Sequence, residues 1–340
     1  MEISTSFVGI DVSKQTLDVA LALDATPKRV NTARFANTTQ AFVPLLTWLQ
    51  ARSTAALHVC LEATGTYHDA VLAFLLEHGL CVSLLPSSRL REFRLSEGQR
   101  NKTDKQDAIL LARYGQQKQP AAFVPVPSDL QWLRTQLARL RDLEKMHRQE
   151  SNRLENSRMP ETMCEQIRMH VQLLSQWEKE GCKQIRAWIK QQPPRQKAVE
   201  LLRSIDGIGE RTSWGLLSIL GPDASRFSSA HQLVVYLGLD VARQDSGKRI
   251  KAGHLSKQGP SHLRQCLGMG AISAKRWDPD IARFAAELSG RGKKPLQVRV
   301  AIMRKLVHLA YGVLKHQKPY DPRLAWPTHE HRQQEELPAA

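Results

Sequence analysis

Along the first third of the chain, apolar and polar positions alternate in short blocks. Phe7 to Val12 (FVGIDV) is an apolar run broken by one acid, and Leu17 to Leu23 (LDVALAL) repeats it after a turn at Ser13-Lys14-Gln15. Both read as strands, close enough to form a hairpin. Arg29 to Phe35 supplies a third strand, and Ala41 to Leu49 places its apolar residues at helical spacing. Leu57 to Leu61 is the next strand, with Glu62 at its C-terminal end. Gly65 breaks the pattern, Tyr67 to His78 reads as a helix, and Leu80 to Leu85 is a strand stopped by Pro86. Asp104 to Tyr114 (DKQDAILLARY) is helical, with Thr103 as its N-cap. The predicted order is β-β-β-α-β-α-β-α, an α/β unit.

Further on, the period changes. Residues 119 to 128 (QPAAFVPVPS) carry three prolines and cannot continue a helix, so they are a linker. From Asp129 to about Ile189 a leucine stripe runs through Leu130, Leu133, Leu137, Leu140 and Leu143. Pro160 interrupts it, and Ile167, Val171, Leu174, Trp177, Ile185 and Trp188 resume it. Two long helices packed as an antiparallel hairpin or coiled coil are predicted, either a dimerisation arm, a nucleic-acid clamp or a plain spacer. QQPPRQ at 191 to 196 reads as a second linker, before a compact helical region that reaches about Leu324. The domains expected are therefore 1–125, 126–195 and 196–326, with a polar tail at 327–340.

Charge sharpens this division. Of 49 Lys+Arg and 33 Asp+Glu, residues 1 to 127 hold 13 and 11, a net of +2; the remainder holds 36 and 22, a net of +14. The second part is composed to meet a polyanion. A membrane surface would attract it too, but no long apolar stretch and no secretory leader is read, so no membrane partner is expected. Cys60, Cys81, Cys164, Cys182 and Cys266 show no CxxC pairing and read as reduced thiols of a cytoplasmic protein. The histidines, His58, His68 and His78 included, form no ligand set and read as core or surface residues.

The candidate chemistry lies in four acids: Asp11, Glu62, and the pair Asp104 and Asp107, which share one face at the start of a helix. Four acids converging in a dry site repel one another unless cations lie between them. Carboxylate oxygens suit Mg²⁺, and such ions can clamp a phosphodiester, so metal-dependent phosphoryl transfer on nucleic acid is expected. A second region, Leu201 to Leu220, carries Gly207-Ile208-Gly209 between helical segments, the helix-hairpin-helix pattern. Its backbone N–H groups, with Arg211 and Thr212, suit a phosphate backbone read without sequence preference, although an ordinary packing corner has the same pattern. Downstream, Ser246 stands beside Gly247 among Arg243, Lys248, Arg249 and Lys251, and Ser256 has similar local credentials. Lys257, Arg264 and Lys275 read as phosphate contacts, and Lys293, Lys294, Arg299, Arg304 and Lys305 as a basic helical run.

FVGIDVSK, LEATGTY and RNKTDKQDA, followed by SIDGIGERT, YLGLD, DSGKRIKAGHLSKQG and RKLVHLAYGVLK, resemble the DEDD transposases of the insertion-sequence one-ten family, the bridge-RNA-guided recombinases. The resemblance runs in order over nearly the whole chain. It departs at Asp206, where the family often has proline, and at Gly238-Leu239-Asp240-Val241, where the family has Gly-Leu-Thr-Pro. It implies a RuvC-like domain of RNase H fold, a coiled-coil insertion and a mostly helical C-terminal transposase domain with the helix-hairpin-helix. It carries the metal-binding tetrad onto Asp11, Glu62, Asp104 and Asp107, and the nucleophilic serine onto Ser246. It further implies a prokaryotic protein, nucleoid-associated when active, working as a tetramer (a dimer of dimers) on double-stranded target and donor DNA. A structured noncoding guide RNA pairs with both DNAs, and exchange runs through a 5′-phosphoserine linkage and a Holliday-type intermediate. Rival readings are a hydrolytic junction resolvase using the same acids with water as nucleophile, a non-enzymatic architectural protein, and an actin-like ATPase.

Overall fold

The structure of the protein is a computed structural model that describes residues 5–22, 30–63, 65–98, 103–155, 159–242 and 254–325. The chain divides into two compact units, Met1–Pro125 and Val126–Ala340.

The first unit holds β1 (Thr5–Val12), β2 (Thr16–Ala22), β3 (Val30–Ala36), α1 (Thr39–Gln50), β4 (Ala56–Glu62), α2 (Asp69–Glu77), β5 (Cys81–Leu85), α3 (Ser87–Ser96) and α4 (Asp104–Lys118). Its sheet runs β3-β2-β1-β4-β5. The β1–β2 and β2–β3 pairs are antiparallel, whereas β1–β4 and β4–β5 are parallel. The period-two alternation of a strand sorts its side chains between two faces. Val8, Ile10 and Val12 of β1 join Leu17, Val19, Leu21, Val59 and Leu61 in one core with Phe42, Leu45 and Leu49 of α1 and Val71 and Leu75 of α2. The intervening residues of those strands face the other way. There Ala20 and Ala22 pack on Ala108 and Ala112 of α4, and Cys60 joins Leu90, Phe93, Leu110 and Leu111. The result is a sheet covered on both faces by helices.

Gly9 is what lets α4 lie so close to β1. A Cβ there would stand 2.0 Å from the Ala108 carbonyl oxygen and 2.5 Å from the Ala112 nitrogen, so only a hydrogen fits. The sequence pattern predicts one helix after β5, and the structure has two. α3 buries only Leu90 and Phe93, too short a stripe to stand out among its arginines. Beyond α4, Phe123 N–H donates to the Val82 carbonyl at 2.6 Å and Ser83 Oγ to those of Pro120 and Ala121, so the proline-rich segment straps the outer edge of β5.

The second unit opens with α5 (Ser128–Leu154) and α6 (Glu161–Lys190). Cross-pairs fix their sense. Trp132 stacks on Trp188 with centroids 5.2 Å apart, Leu140 fills the space over Gly181, and His147 bonds Ser175 at 3.0 Å. As one number rises the other falls by a similar step, so the helices are antiparallel along their length. Cys164, Ile167, Val171, Leu174, Glu178, Gly181 and Ile185 repeat every three and four residues on the side of α6 turned inward. Trp177, expected on that stripe, is instead 43 % exposed beside Arg139. It lies one residue off the repeat, about 100° around the helix, and Glu178 takes the seam position.

α7 (Pro193–Arg203), α8 (Glu210–Leu220), α9 (Ala230–Tyr236), β6 (Val241–Ala242), β7 (His254–Leu255), α10 (Ser261–Trp277), α11 (Pro279–Gly290), α12 (Pro295–His316) and α13 (Pro322–Ala325) follow. Pro193 and Pro194 form the first turn of α7, where a missing N–H costs nothing. One buried core runs from Leu133 and Leu174 through Trp214 and Leu267 to Leu314, so the long hairpin shares it with the later helices.

Candidate functional site

The acids of the first unit gather through sheet register. Asp11 pairs with Asp18 across the β1–β2 ladder. Ile10 pairs with Leu61 across β1–β4, which puts Glu62 one step beyond, beside Asp11. Asp11, Asp18 and Glu62 alternate with the residues of the opposite core, so all three belong to the face that α4 covers. On α4, the Thr103 hydroxyl accepts the Gln106 N–H at 3.3 Å, capping the helix as expected. Asp104 and Asp107 open that helix but are not equivalent: Asp107 is 2 % exposed, whereas Asp104 is open to solvent. The consequence shows at Asp11. Its carboxyl is pushed up to about 7, first by burial, then by the negative charges of Asp107, Glu62, Asp104 and Asp18. The other three acids picked out in the sequence therefore act electrostatically on Asp11.

Sequence reasoning missed three charged residues here. Asp18 is a fifth acid, buried, and legible only once the hairpin register is known. Arg34, on the neighbouring strand, donates from Nε to both Asp18 oxygens at 3.0 and 3.2 Å and approaches Asp104 at 3.9 Å. Arg94 of α3 donates to Asp107 Oδ1 at 2.6 Å. Two guanidiniums thus balance part of the negative charge, and among the described residues no three His, Cys, Asp or Glu side chains are grouped to hold a metal ion. The donor set still has the chemistry of a hard-cation site: carboxylate oxygens on one face, with Asp11 favouring its proton because burial and then the neighbouring negative charges disfavour its ionised form.

In the second unit the Gly207-Ile208-Gly209 turn joins α7 to α8. Gly207 has φ +91°, and a Cβ on it would stand 2.3 Å from the Gly270 carbonyl oxygen, so the turn rests directly on α10. An open groove of about 800 Å³ borders it, lined by Arg148, Arg203, Asp206, Thr212, Gln265, Met269 and Ser273 among others.

Two comparisons bear on this arrangement. Residues 8–157 match a family model described as "Transposase", of the DEDD type, and residues 199–286 match one described as "Transposase IS116/IS110/IS902 family". The pilin gene-inverting proteins of Moraxella lacunata and Moraxella bovis are each 33 % identical to the chain over 94 % of its length and 99 % of theirs. The chain belongs to the IS110 family of transposases. An uncharacterized 42 kDa protein of the insertion element IS900, from Mycobacterium paratuberculosis, is 26 % identical over 40 % of this chain and 34 % of its own. A DEDD transposase domain is RNase H-like, and the mixed five-stranded sheet with flanking helices agrees with that. As an IS110-family transposase, the protein rearranges DNA, and DNA is its substrate.

Other predicted contacts fall unevenly in this transposase. Ser246, with Arg243, Lys248, Arg249 and Lys251, lies outside the described residues. The strands that bracket this segment pair Val241 with Leu255 and Ala242 with His254. Ser256 Oγ donates to the Asp240 carboxylate beside this ladder. Arg211 is ion-paired to Glu144 at 2.9 Å, and Thr212 is 7 % exposed. Arg264 donates to the Leu237 and Gly259 carbonyls, each at 3.0 Å, and so braces backbone. Lys257 is exposed and Gly209 has open space around it. The histidines do structural work, as expected: His58 bonds Ser83 at 2.8 Å, His78 bonds the Phe74 carbonyl at 2.8 Å, and His68 is buried. Among the described residues no helix is long and apolar enough to cross a membrane.

Proposed function

We propose that the chain is an RNA-guided DNA recombinase that cuts and rejoins strands through a covalent 5′-phosphoserine and a Holliday-type junction. The observation that carries this reading is the surroundings of Asp11, where burial and then the charges of four other carboxylates raise its proton affinity on one face of the sheet. Such a face is unfavourable alone and suits a divalent cation. Asp11, Glu62, Asp104 and Asp107 would hold Mg²⁺, which supplies neutralisation of charge developing on the scissile phosphate. Ser246 Oγ attacks the phosphorus, the bond to the 3′ oxygen breaks, and the proton lost by the serine ends on the released 3′ hydroxyl. A 3′ hydroxyl from another strand then attacks the phosphoserine and frees the serine, so the phosphodiester count is conserved without ATP.

The Gly207–Gly209 turn, read as a helix-hairpin-helix, holds the DNA backbone. The α5–α6 pair, read as a coiled coil, joins copies into a tetramer in which the acids of one protomer meet the serine of another. Guide RNA selects the sites by base pairing. The full-length likeness to proteins named for pilin gene inversion supports recombination at defined sites over simple hydrolysis.

Ser246→Ala is expected to abolish the protein–DNA adduct on a denaturing gel while DNA binding persists; an adduct of normal yield ends the serine assignment. Asp11→Asn is expected to abolish cleavage while the fold survives, and persistent cleavage removes Asp11 from the metal site. Cleavage by the wild type without any adduct identifies a hydrolytic resolvase instead. Recombination by protein that carries no RNA overturns the guided step.

A further inference from the structure

We infer that the outer face of α10 is a DNA-reading surface that enters the major groove of duplex DNA, with basic flanks on both sides for the two phosphate backbones. The inference rests on the reading of the chain as a protein that acts on DNA. It goes beyond the glycine turn by naming the element that meets the bases.

Helical spacing puts Gln265, Met269, Ile272, Ser273 and Arg276 on one side of α10. All five are exposed, Met269 at 69 % and Ile272 at 46 %, while Leu263, Leu267, Gly270, Ala271 and Ala274 on the other side are buried. The exposed side mixes amide, hydroxyl, guanidinium and apolar groups. That is the mixture that pairs with base edges and thymine methyl groups, and B-DNA's major groove, about 12 Å wide, admits an α-helix. A-form RNA offers side chains no comparable groove.

Concavities flank α10 on both sides. On one side is the groove over Gly207 and Gly209, carrying Arg148 and Arg203. On the other is a hollow of about 290 Å³ between α10, the end of α11 and the start of α12, carrying Lys275, Ser289 and Arg299. Charge decides what these flanks are for. Several arginines of this unit are matched by carboxylates of the same chain, Arg153 by Glu150, Arg168 by Glu161, Arg186 by Glu210 and Arg211 by Glu144, and Arg134 and Arg264 donate to backbone carbonyls. Arg148, Arg203, Lys275, Arg276 and Arg299 are all exposed, and among the described residues none has a salt bridge. A second copy of this positively charged unit is a poor occupant for such a surface, whereas paired strands of phosphate are a good one.

The test is fluorescence anisotropy of the full chain on a labelled DNA duplex across a salt series. The pair Arg148→Glu with Arg299→Glu is expected to weaken binding at least tenfold and to flatten the log–log salt slope by about 2, near 0.9 for each phosphate left without its cation. Arg168→Ala, on the long hairpin, should leave both unchanged. A duplex carrying glucosylated 5-hydroxymethylcytosine, which fills the major groove, should bind the wild type at least tenfold more weakly. Full affinity for the glucosylated duplex overturns groove entry, and full affinity of the double variant overturns the flanks. An RNA duplex bound more tightly than DNA, and weakened by the same double variant, overturns the choice of DNA. A double variant that binds normally but changes mass by light scattering makes the surface an interface between copies. A normal adduct from Ser246→Ala, with these DNA effects intact, would defeat the serine chemistry and leave this surface standing; a wild type that binds no duplex defeats both.

Discussion

At Asp107 the decisive partner is Arg94, since a carboxylate this deeply buried among other acids is tolerated only with a cation against it. Arg94→Gln is expected to destabilise the protein by about 3 kcal/mol, read from urea denaturation, because it removes the cation held against that buried charge. His262 in the second unit gives a pH signature. Burial, then Arg141 and Arg264, lowers its imidazole to about 4. Between that value and the 6.5 of a free imidazole the unfolded chain takes up a proton that the folded chain refuses. Its contribution is therefore complete above pH 6.5 and is lost as pH falls towards 4. His262→Gln should flatten the stability profile in that window, and an unchanged slope in denaturation at about pH 4.5 and 7 would contradict the assignment. Individual residues were legible in the sequence where local pattern decides, as for the Thr103 cap and the placement of Glu62 at a strand end. Asp18, Arg34 and Arg94 were not, because each matters through a partner on another element, 16 positions away for Asp18 with Arg34 and 13 for Arg94 with Asp107.

Elements were legible in proportion to the regularity of their hydrophobic period. The five strands of the first unit and the two long helices follow theirs, whereas α3, with two buried residues, leaves almost no trace. The α5–α6 pair shows how one residue of register matters. Leu174→Ala should cost about 2–5 kcal/mol, since it empties a fully buried seam position, while Trp177→Ala, despite the larger side chain, should cost under about 1 kcal/mol. Thermal melts of the two variants compare them directly. At the β1–α4 contact, Gly9→Ala should destabilise by about 3 kcal/mol, because its methyl group meets backbone that cannot turn aside. α4 would have to lift, and with it Asp107.

For the molecule as a whole, the uneven charge of the chain sets how it meets its substrate. Affinity for duplex DNA should fall by about 10³ or more between 50 and 200 mM salt if six or more phosphates are engaged, and a titration across that range measures it. This much was open to sequence reasoning, because net charge is a sum that needs no fold. Which cations remain available was closed to it, since Arg211 and Arg264 look like Arg148 and Arg299 until their partners are located. The arginines on the acidic face have a last consequence. Arg34 and Arg94 already sit among the carboxylates, so part of the negative charge of this face is balanced by the first unit's own residues. If the acids hold a divalent ion as proposed, loading it would exchange one positive guest for another, and its grip would be weakened by the guanidinium it displaces. On the proposed reading, folding and arming would be separate events, and a chain made without the ion would be complete in shape while inert in chemistry.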